Sequence, residues 1–232
     1  MLLPISELLQ DFNIKPKRIL HVGAHLAEES NGYTEYFKAP VIWIEAQPKL
    51  CKELKQSLDM ASNTVIEACV LDKNDDVVTL NVTSNSQSTS ILNFGTHSHT
   101  YPDVVVTEFV TVQTKRLDSL LNIKEVPDFI NLDIQGVELK AIMSLGVLIE
   151  QVKVIYTEVN KRHVYVGCNL IQEMDAYLKS YGFRRIATRW KRGSGWGDAL
   201  YVTQKIPRRN LIQYFRSNLR LVKFYSPNRV KS

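Results

Sequence analysis

The sequence predicts an α/β fold built on a mostly parallel sheet with helices on both faces. Three observations support this prediction. Short apolar runs typical of buried strands alternate with segments of helical periodicity through the first 70 residues. The same alternation returns after residue 128. Several predicted strands also end at a glycine or an acidic residue, which is typical of sheets that bind a ligand beyond their strand ends.

The elements predicted in the first 70 residues alternate between strand and helix after one leading helix. The first strand ends at Gly23, where the chain turns toward a helix. A later helix is indicated by Leu50, Leu54 and Leu58 at helical spacing. The predicted elements are a helix at residues 4–11, a strand at 19–22, a helix at 27–37, a strand at 41–44, a helix at 48–58 and a strand at 64–70.

The alternation breaks at Asp75 and resumes near residue 129. Between these points, two β-branched runs flank a polar loop at residues 84–90, and we expect antiparallel additions at a sheet edge or an extended arm near its mouth. A hairpin around a glycine-rich loop at residues 193–197 closes the domain. The predicted elements are strands at 77–82, 104–113, 129–132 and 152–157, helices at 137–145 and 170–181, and hairpin strands at 183–189 and 200–203.

At 232 residues and 44% hydrophobic content, the chain can bury a full core, and we expect one domain over residues 1–204. The cysteines Cys51, Cys69 and Cys168 are widely spaced without a CxxC pair. This pattern indicates that the cysteines are reduced and pack in the core of a cytoplasmic protein. It does not favour a disulfide framework or a metal site. We expect neither a signal peptide nor a membrane span.

The basic character of the chain is concentrated at its C-terminal end. Residues 205–232 hold eight basic and no acidic residues, whereas residues 1–204 hold 21 basic and 24 acidic ones. Leu211, Phe215 and Leu219 lie at helical spacing and predict a basic helical tail. This helix could pack on the body with a solvated basic face, or contact an anionic membrane peripherally. No nucleic-acid partner is expected, because the body is net acidic and lacks a binding motif.

Four predicted strands end in a glycine turn or an acid: Gly23, Glu45, Asp133 and Glu158. Each alone could belong to an ordinary turn or helix cap. Because ligands of open α/β sheets bind beyond the carboxyl ends of the strands, the four together predict a functional cleft at one edge. Glu45 stands 22 residues after Gly23, where an acid can accept both ribose hydroxyls of a nucleoside cofactor.

A second signal lies at residues 131–138, NLDIQGVE. Gly136 allows close approach of the backbone, and Asp133 and Glu138 flank it at the strand end and in the first helical turn. Glu138 could instead serve only as a favourable charge at the helix N-terminus.

Six motifs follow one another along the chain: HVGAH at residues 21–25, WIEAQP at 43–48, QSTSI at 87–91, LDIQGVEL at 132–139, YTEV at 156–159 and WGDALY at 196–201. In this order they resemble the FkbM-type methyltransferases, and the resemblance spans residues 19–202. It implies a class I fold with a seven-stranded sheet, S-adenosylmethionine as cofactor, and methyl transfer to oxygen. The resemblance also implies that the acceptor is commonly a sugar, a glycan or a glycosylated small molecule.

The resemblance also implies cofactor contacts. The sequence departs from the family pattern at Ala27, where a second glycine is usual, and at His25, where asparagine is usual. The implied contacts are Gly23, Ala24 and His25 at the methionine part, Glu45 and Ala46 toward the ribose, Cys69 and Val70 near the adenine, and Asp133 and Gln135 at the reacting centre.

A methyl group on a sulfonium is already activated, so the protein mainly has to hold an acceptor oxygen in line and exclude water. A general base should still help by roughly 10²- to 10⁴-fold. The candidates are Asp133, Glu158, Glu138 and His163, of which Asp133 and Glu158 are favoured because strand ends are rigid. His163, in a predicted loop, could equally be solvated. The acids could also hold Mg²⁺, but no metal is assigned.

The acceptor side is expected to combine aromatic and polar groups, which suits the apolar faces and polar rim of a sugar ring. Trp196 could instead simply pack a hairpin. The candidate residues are Ser88, His97, His99, Tyr101, Trp196 and Asp198.

Two other functions stay open at this point. A nicotinamide-dependent oxidoreductase would also use a glycine turn and a second-strand acid, although residues 21–30 lack the GxGxxG spacing. A non-catalytic module of the same fold that binds nucleosides or glycans is the third hypothesis. The sequence does not identify the acceptor or the oligomeric state.

Overall fold

The computed structural model describes residues 2–203, so the predicted tail at 205–232 lies outside the described residues. These residues form ten strands and seven α-helices. The strands are β1 (Ile19–Val22), β2 (Val41–Glu45), β3 (Asn63–Glu67), β4 (Cys69–Val70), β5 (Val77–Thr83), β6 (Val106–Lys115), β7 (Phe129–Leu132), β8 (Val154–Asn160), β9 (Phe183–Trp190) and β10 (Trp196–Thr203). The helices are α1 (Ile5–Asp11), α2 (Ser30–Tyr36), α3 (Pro48–Ser57), α4 (His97–Thr100), α5 (Leu117–Leu120), α6 (Glu138–Met143) and α7 (Ile171–Ser180).

Seven strands form the main sheet in the order β3-β2-β1-β7-β8-β10-β9. The first five strands in this order, β3, β2, β1, β7 and β8, are parallel to one another. Strand β10 runs antiparallel to both of its neighbours, β8 and β9. The strand order reverses beside β1, which has β2 on one side and β7 on the other. Open α/β sheets bind their ligands at such a reversal. The fold class predicted from the sequence is confirmed.

Alternating side chains of the central strands pack into two hydrophobic layers, one on each face of the sheet. Ile19 and Phe129 pack with α1, α2 and α3, whereas Leu20 and Ile130 pack with α6 and α7. All four residues of β1 and all four of β7 are buried. A parallel strand covered on both faces needs such a continuous apolar run, which is why these two strands could be read from the sequence.

The prediction of one strand at residues 64–70 is wrong, because the chain changes partners inside it. The amide of Ala68 donates to the carbonyl O of Glu45 in the main sheet (2.9 Å), but the amide of Leu71 donates to the carbonyl O of Lys115 (3.0 Å). The short β4 therefore belongs to a separate three-stranded sheet in the order β4-β6-β5. The predicted antiparallel pair is present in this small sheet, and it is not an addition to the main one.

Three further differences from the prediction concern residues near the strand ends and the hairpin. Helix α2 begins at Ser30 rather than 27, because His25 and Ala27 have φ of +46° and +56°, which a right-handed helix excludes. Glu158 lies within β8 instead of at its end. The β9–β10 turn covers residues 191–195, so Trp196 belongs to β10. Within residues 2–203, no helix has both the length and the apolar character needed to cross a membrane.

Candidate active site

A cavity of about 460 Å³ opens at the carboxyl ends of β1, β2 and β7, beside the small sheet. It has the size of a typical small-molecule site. Most of the residues predicted from the sequence line it, although they come from distant parts of the chain. They are Gly23, His25, Glu45, Ala46, Cys69, Val70, Ser88, His97, Tyr101, Asp133, Gln135, Glu158, Trp196 and Asp198.

Gly23 marks the contact between β1 and β7. Its φ is +84°, and a Cβ at this position would lie 1.9 Å from the carbonyl O of Asp133. The amides of Gly23 and Ala24 both donate to the carbonyl O of Ile44, at 2.9 and 3.0 Å. Glycine is therefore required by the contact between strand ends, whether or not a ligand approaches it.

Glu45 ends β2 and is buried at 6% exposure. One carboxylate oxygen accepts the amide of His25 and the other accepts the amide of Gln47, both at 2.9 Å. Burial raises the pKa of Glu45, and these hydrogen bonds oppose that shift. Each oxygen keeps a further lone pair, so the fixed carboxylate can accept hydroxyl groups from the cavity.

Apolar side chains from β2, β4, β5 and the turn before α6 form the wall beside Glu45. Such a surface suits the flat face of a purine ring, and an adjacent carboxylate suits its ribose. The residues present therefore fit a nucleoside cofactor. The wall consists of Ile44, Ala68, Cys69, Val70, Leu80 and Val137.

Three acids stand in a row at the other end of the cavity. Asp198 on β10 lies directly opposite Glu158 on β8. Asp133 follows Leu132, which pairs with Thr157, so it continues the row on the next strand. Tyr156 Oη and the backbone amide of Leu2 both donate to one carboxylate oxygen of Asp198. We define Asp133, Glu158 and Asp198 as the acid row.

Gln135 connects two members of the acid row. Its Nε2 donates to Oδ1 of Asp133 at 2.5 Å and to Oε2 of Glu158 at 3.3 Å. Glu158 is buried at 6% exposure, and among the described residues its Oε1 has no hydrogen-bond partner. Burial and then the charge of Asp133 raise the pKa of Glu158 well above its ordinary value. A proton on Glu158 removes the repulsion between its carboxylate and that of Asp133.

Asp133 is the accessible member of the row. It is exposed toward the cavity, yet the surrounding protein and the charge of Asp198 raise its pKa. Burial is the larger cause, and the charge of Asp198 acts in the same direction because like charges disfavour ionisation. Asp133 therefore combines contact with the cavity with the proton affinity that a general base needs near neutral pH.

Tyr165 was not predicted from the sequence. It is buried at 1% exposure, and its hydroxyl donates to Oε1 of Gln135 at 2.5 Å. This bond turns the amide nitrogen of Gln135 toward the carboxylates. Tyr165 lies in the loop after β8. The sequence of this loop has no hydrophobic periodicity and no adjoining motif, so it did not indicate a role for Tyr165.

Aromatic side chains form the wall near the acid row. The rings of His97 and Phe94 stack with centroids 4.3 Å apart, and His97 Nε2 lies 3.3 Å from Ser88 Oγ. Trp196 Nε1 donates to Tyr101 Oη at 3.4 Å. Burial lowers the pKa of His97, which favours its neutral form. This end of the cavity therefore mixes apolar faces with polar edges.

Glu138, a predicted catalytic residue, does not line the cavity. Its buried carboxylate accepts the amides of Gly136 at 3.0 Å and Ile134 at 3.1 Å. Glu138 thus fixes the loop that carries Asp133 and Gln135.

Three other predicted residues also lie outside the cavity lining. Ala24 is buried beneath the glycine turn. His99 is exposed on α4. His163 is exposed, and its Nδ1 lies 3.1 Å from the carbonyl O of Cys168. We therefore assign these residues no part in the chemistry proposed below.

The profile of the methyltransferase FkbM domain matches residues 21–185, which is most of the chain. The chain belongs to the FkbM methyltransferase family. The family resemblance inferred from the motifs is thus confirmed, and the oxidoreductase alternative loses its support. No curated protein matched the sequence.

Solved structures with the same fold include several methyltransferases. The magnesium protoporphyrin IX methyltransferase of Synechocystis PCC 6803 with bound S-adenosylmethionine has a TM-score of 0.50 and 11% identity, covering 86% of this chain and 76% of its own. Its complex with S-adenosylhomocysteine has a TM-score of 0.50 and 9% identity, covering 86% and 80%. A candidate tRNA methyltransferase of Streptococcus pneumoniae has a TM-score of 0.51 and 12% identity, covering 99% and 91%.

These neighbours share the class I methyltransferase fold with this chain at very low identity. Together with the family assignment, they support S-adenosylmethionine as the cofactor. Among the described residues, no three His, Cys, Asp or Glu side chains are grouped so that they could hold a metal ion.

Proposed function

We propose that this FkbM-family methyltransferase transfers a methyl group from S-adenosylmethionine to a hydroxyl of a sugar, a glycan or a glycosylated small molecule. One observation carries the proposal. The same cavity has a fixed carboxylate beside an apolar wall at one end and the acid row beside aromatic rings at the other.

The first end has the side chains that a nucleoside needs. Glu45 would hold the ribose, the wall around Cys69 and Val70 would face the adenine, and the turn at Gly23 would face the methionine part. When bound, S-adenosylmethionine supplies a methyl group on a sulfonium. The chain's own residues then have to orient the acceptor, exclude water and take up a proton.

Asp133 is the proposed general base. A hydroxyl of the acceptor would donate its hydrogen bond to the Asp133 carboxylate, and this carboxylate would take up the hydroxyl proton. Gln135 holds the carboxylate in place through its 2.5 Å hydrogen bond. Glu158 is less suited to act as the general base because it is buried. We propose that Glu158 keeps its proton beside Asp133. The aromatic wall would pack on the acceptor and exclude competing water.

Cofactor binding is tested first, by calorimetry with S-adenosylmethionine, S-adenosylhomocysteine and NAD. We expect binding of the two sulfur nucleosides only. Screening labelled methyl transfer onto nucleotide sugars and glycan fragments then tests the acceptor class. Binding of the nucleosides without transfer to any hydroxyl acceptor would favour the non-catalytic module.

The role of Asp133 is tested with Asp133→Asn, which keeps the shape of the side chain. We expect transfer to fall by at least 10²-fold while the affinity for S-adenosylhomocysteine stays within a few-fold. An unchanged turnover in this variant would remove Asp133 from the mechanism.

A further inference from the structure

Four exposed basic residues lie in two adjoining loops, and one of them, Lys191, lines the cavity. Lys161 and Arg162 follow β8, and Lys191 and Arg192 lie in the β9–β10 turn. We call these four residues the basic rim. They are absent from the motifs that indicated the family.

Backbone contacts join the two loops. The amide of Lys161 donates to the carbonyl O of Gly195 at 2.9 Å. Gly195 has φ of +92°, and a Cβ there would lie 2.6 Å from Nε of Arg162. The side chain of Arg162 therefore lies across the β9–β10 turn. Lys161 Nζ is 5.1 Å from the ring centroid of Trp190, so it also lies against the hairpin.

The two loops that carry the basic rim, residues 161–168 and 191–195, contain no acidic residue. Within residues 2–203, none of the four rim side chains forms an ion pair, whereas Arg18, Lys153 and Arg185 each do. Four positive charges held together by joined loops create a site for an anion with more than one charge.

The rim adjoins the methyl-acceptor end of the cavity. Lys191 lines the cavity together with Trp196 and Tyr101, and its amide donates to the carbonyl O of Trp196 at 3.0 Å. The cavity thus contains the acid row, and the basic rim adjoins it through Lys191. A neutral sugar would leave the basic rim without a partner.

We infer that the acceptor carries a phosphate or pyrophosphate group, which the basic rim binds while the hydroxyl reaches Asp133. This inference rests on the proposed function and names its substrate class. Phosphate oxygens accept several hydrogen bonds from lysine and arginine at once, and their two or three negative charges match a cluster of four cations. A carboxylate carries one charge and would engage only part of the rim.

The inference is tested by calorimetry with inorganic pyrophosphate on protein saturated with S-adenosylhomocysteine at low salt. The test variant is Lys191→Gln combined with Arg192→Gln, both on the exposed turn. The matched control, Lys52→Gln with Lys55→Gln on α3, removes the same charge from exposed positions away from the cavity. We expect at least tenfold weaker pyrophosphate binding in the rim variant and less than a twofold change in the control.

Equal losses in the rim and control variants would overturn the inference, because they would reflect net charge alone. Absence of pyrophosphate binding to the unmodified protein would overturn it as well. Binding of S-adenosylhomocysteine in the same samples shows whether the cofactor site is intact. Loss of nucleoside binding refutes the proposed function, whereas nucleoside binding without pyrophosphate binding refutes only the basic rim.

Competition experiments separate the sources of the phosphate. A sugar 1-phosphate and a nucleoside diphosphate sugar should each displace pyrophosphate, and the tighter competitor identifies the natural form. A sugar acid without phosphate should compete at least tenfold more weakly. If the sugar acid competes equally well, the basic rim binds a carboxylate and the assignment of a phosphate group to the acceptor is wrong.

Discussion

The hydroxyl of Tyr165 fixes the orientation of the Gln135 side-chain amide. The orientation of this amide in turn affects the pKa of Asp133. The hydrogen bond from Gln135 lowers the pKa of Asp133, opposing the larger upward effects of burial and Asp198. In Tyr165→Phe the amide can turn over, so the pKa of Asp133 should rise further. We therefore expect the acidic limb of the pH–kcat profile to move to higher pH, measured with any acceptor that supports transfer.

Two observations distinguish this positioning role from a general loss of stability. Tyr36→Phe, at an exposed position on α2, serves as the control and should leave the profile unchanged. In Tyr165→Phe, S-adenosylhomocysteine should still bind, and kcat should recover at high pH. A fall in kcat that is the same at every pH would contradict the role of Tyr165.

Glu45 offers a second prediction for a single residue. In Glu45→Gln one of the two carboxylate oxygens becomes an NH₂ group, which only donates and so accepts neither the backbone amide nor a ribose hydroxyl. We expect the affinity for S-adenosylhomocysteine to fall by at least tenfold, since a bond to a charged group contributes about 1.5–3 kcal/mol. Calorimetry measures this change. Glu67→Gln, at the end of β3 and outside the cavity lining, is the control.

Sequence reasoning located these residues to different degrees. Glu45, Asp133 and Glu158 were found because acids at or near strand ends converge when the strands are parallel. The role of Gly23 was only half visible, because its contact with the Asp133 backbone joins residues that are 110 positions apart. Tyr165 and the basic rim depend on loop packing, which leaves no periodic trace.

The C-terminal end of α2 supports a prediction about stability at the level of one element. Lys38 is exposed there with φ of +52°, and its amide donates to the carbonyl O of Tyr33 at 3.1 Å. Glycine is the preferred residue at such a position because it lacks the Cβ that disfavours this backbone region. We expect Lys38→Gly to raise the free energy of unfolding by about 0.5–1 kcal/mol.

Urea or thermal denaturation measures this change, and about 1 kcal/mol corresponds to roughly 2–4 °C in a domain of this size. Lys38→Ala removes the same side chain without relieving the backbone, so it serves as the control. Equal stability of the two variants would show that the positive φ carries no strain.

Among the secondary-structure elements, those with strong local patterns were predicted and those governed by distant partners were not. The apolar runs of β1, β2 and β7 and the periodicity of α3 and α7 were sufficient. The division of the strand at residues 64–70 was missed, because it depends on a distant partner. The amide of Leu71 donates to the carbonyl O of Lys115 in the small sheet and not to a strand of the main sheet. The late start of α2 was missed because nothing local marks the left-handed residues before it.

For the whole molecule, the acid row makes stability depend on pH. Glu158 is ionisable at an ordinary pKa of about 4.3 in the unfolded chain and at a higher pKa in the folded protein. Its protonated form therefore stabilises the fold below pH 4–5, and this contribution is lost as pH rises through the folded pKa. The unmodified protein should thus lose stability as the pH increases from about 4.5 toward neutrality.

Glu158→Gln isolates this effect, because glutamine keeps the shape of a protonated glutamate and cannot ionise. At pH 8 we expect the variant to be more stable than the parent by about 0.5–2 kcal/mol, the usual range for one stabilising substitution. At pH 4 the difference should vanish, since the parent is then protonated at this position as well. Urea unfolding at both pH values measures the two differences. A gain of equal size at pH 4 and pH 8 would show that packing, and not the charge of Glu158, is responsible.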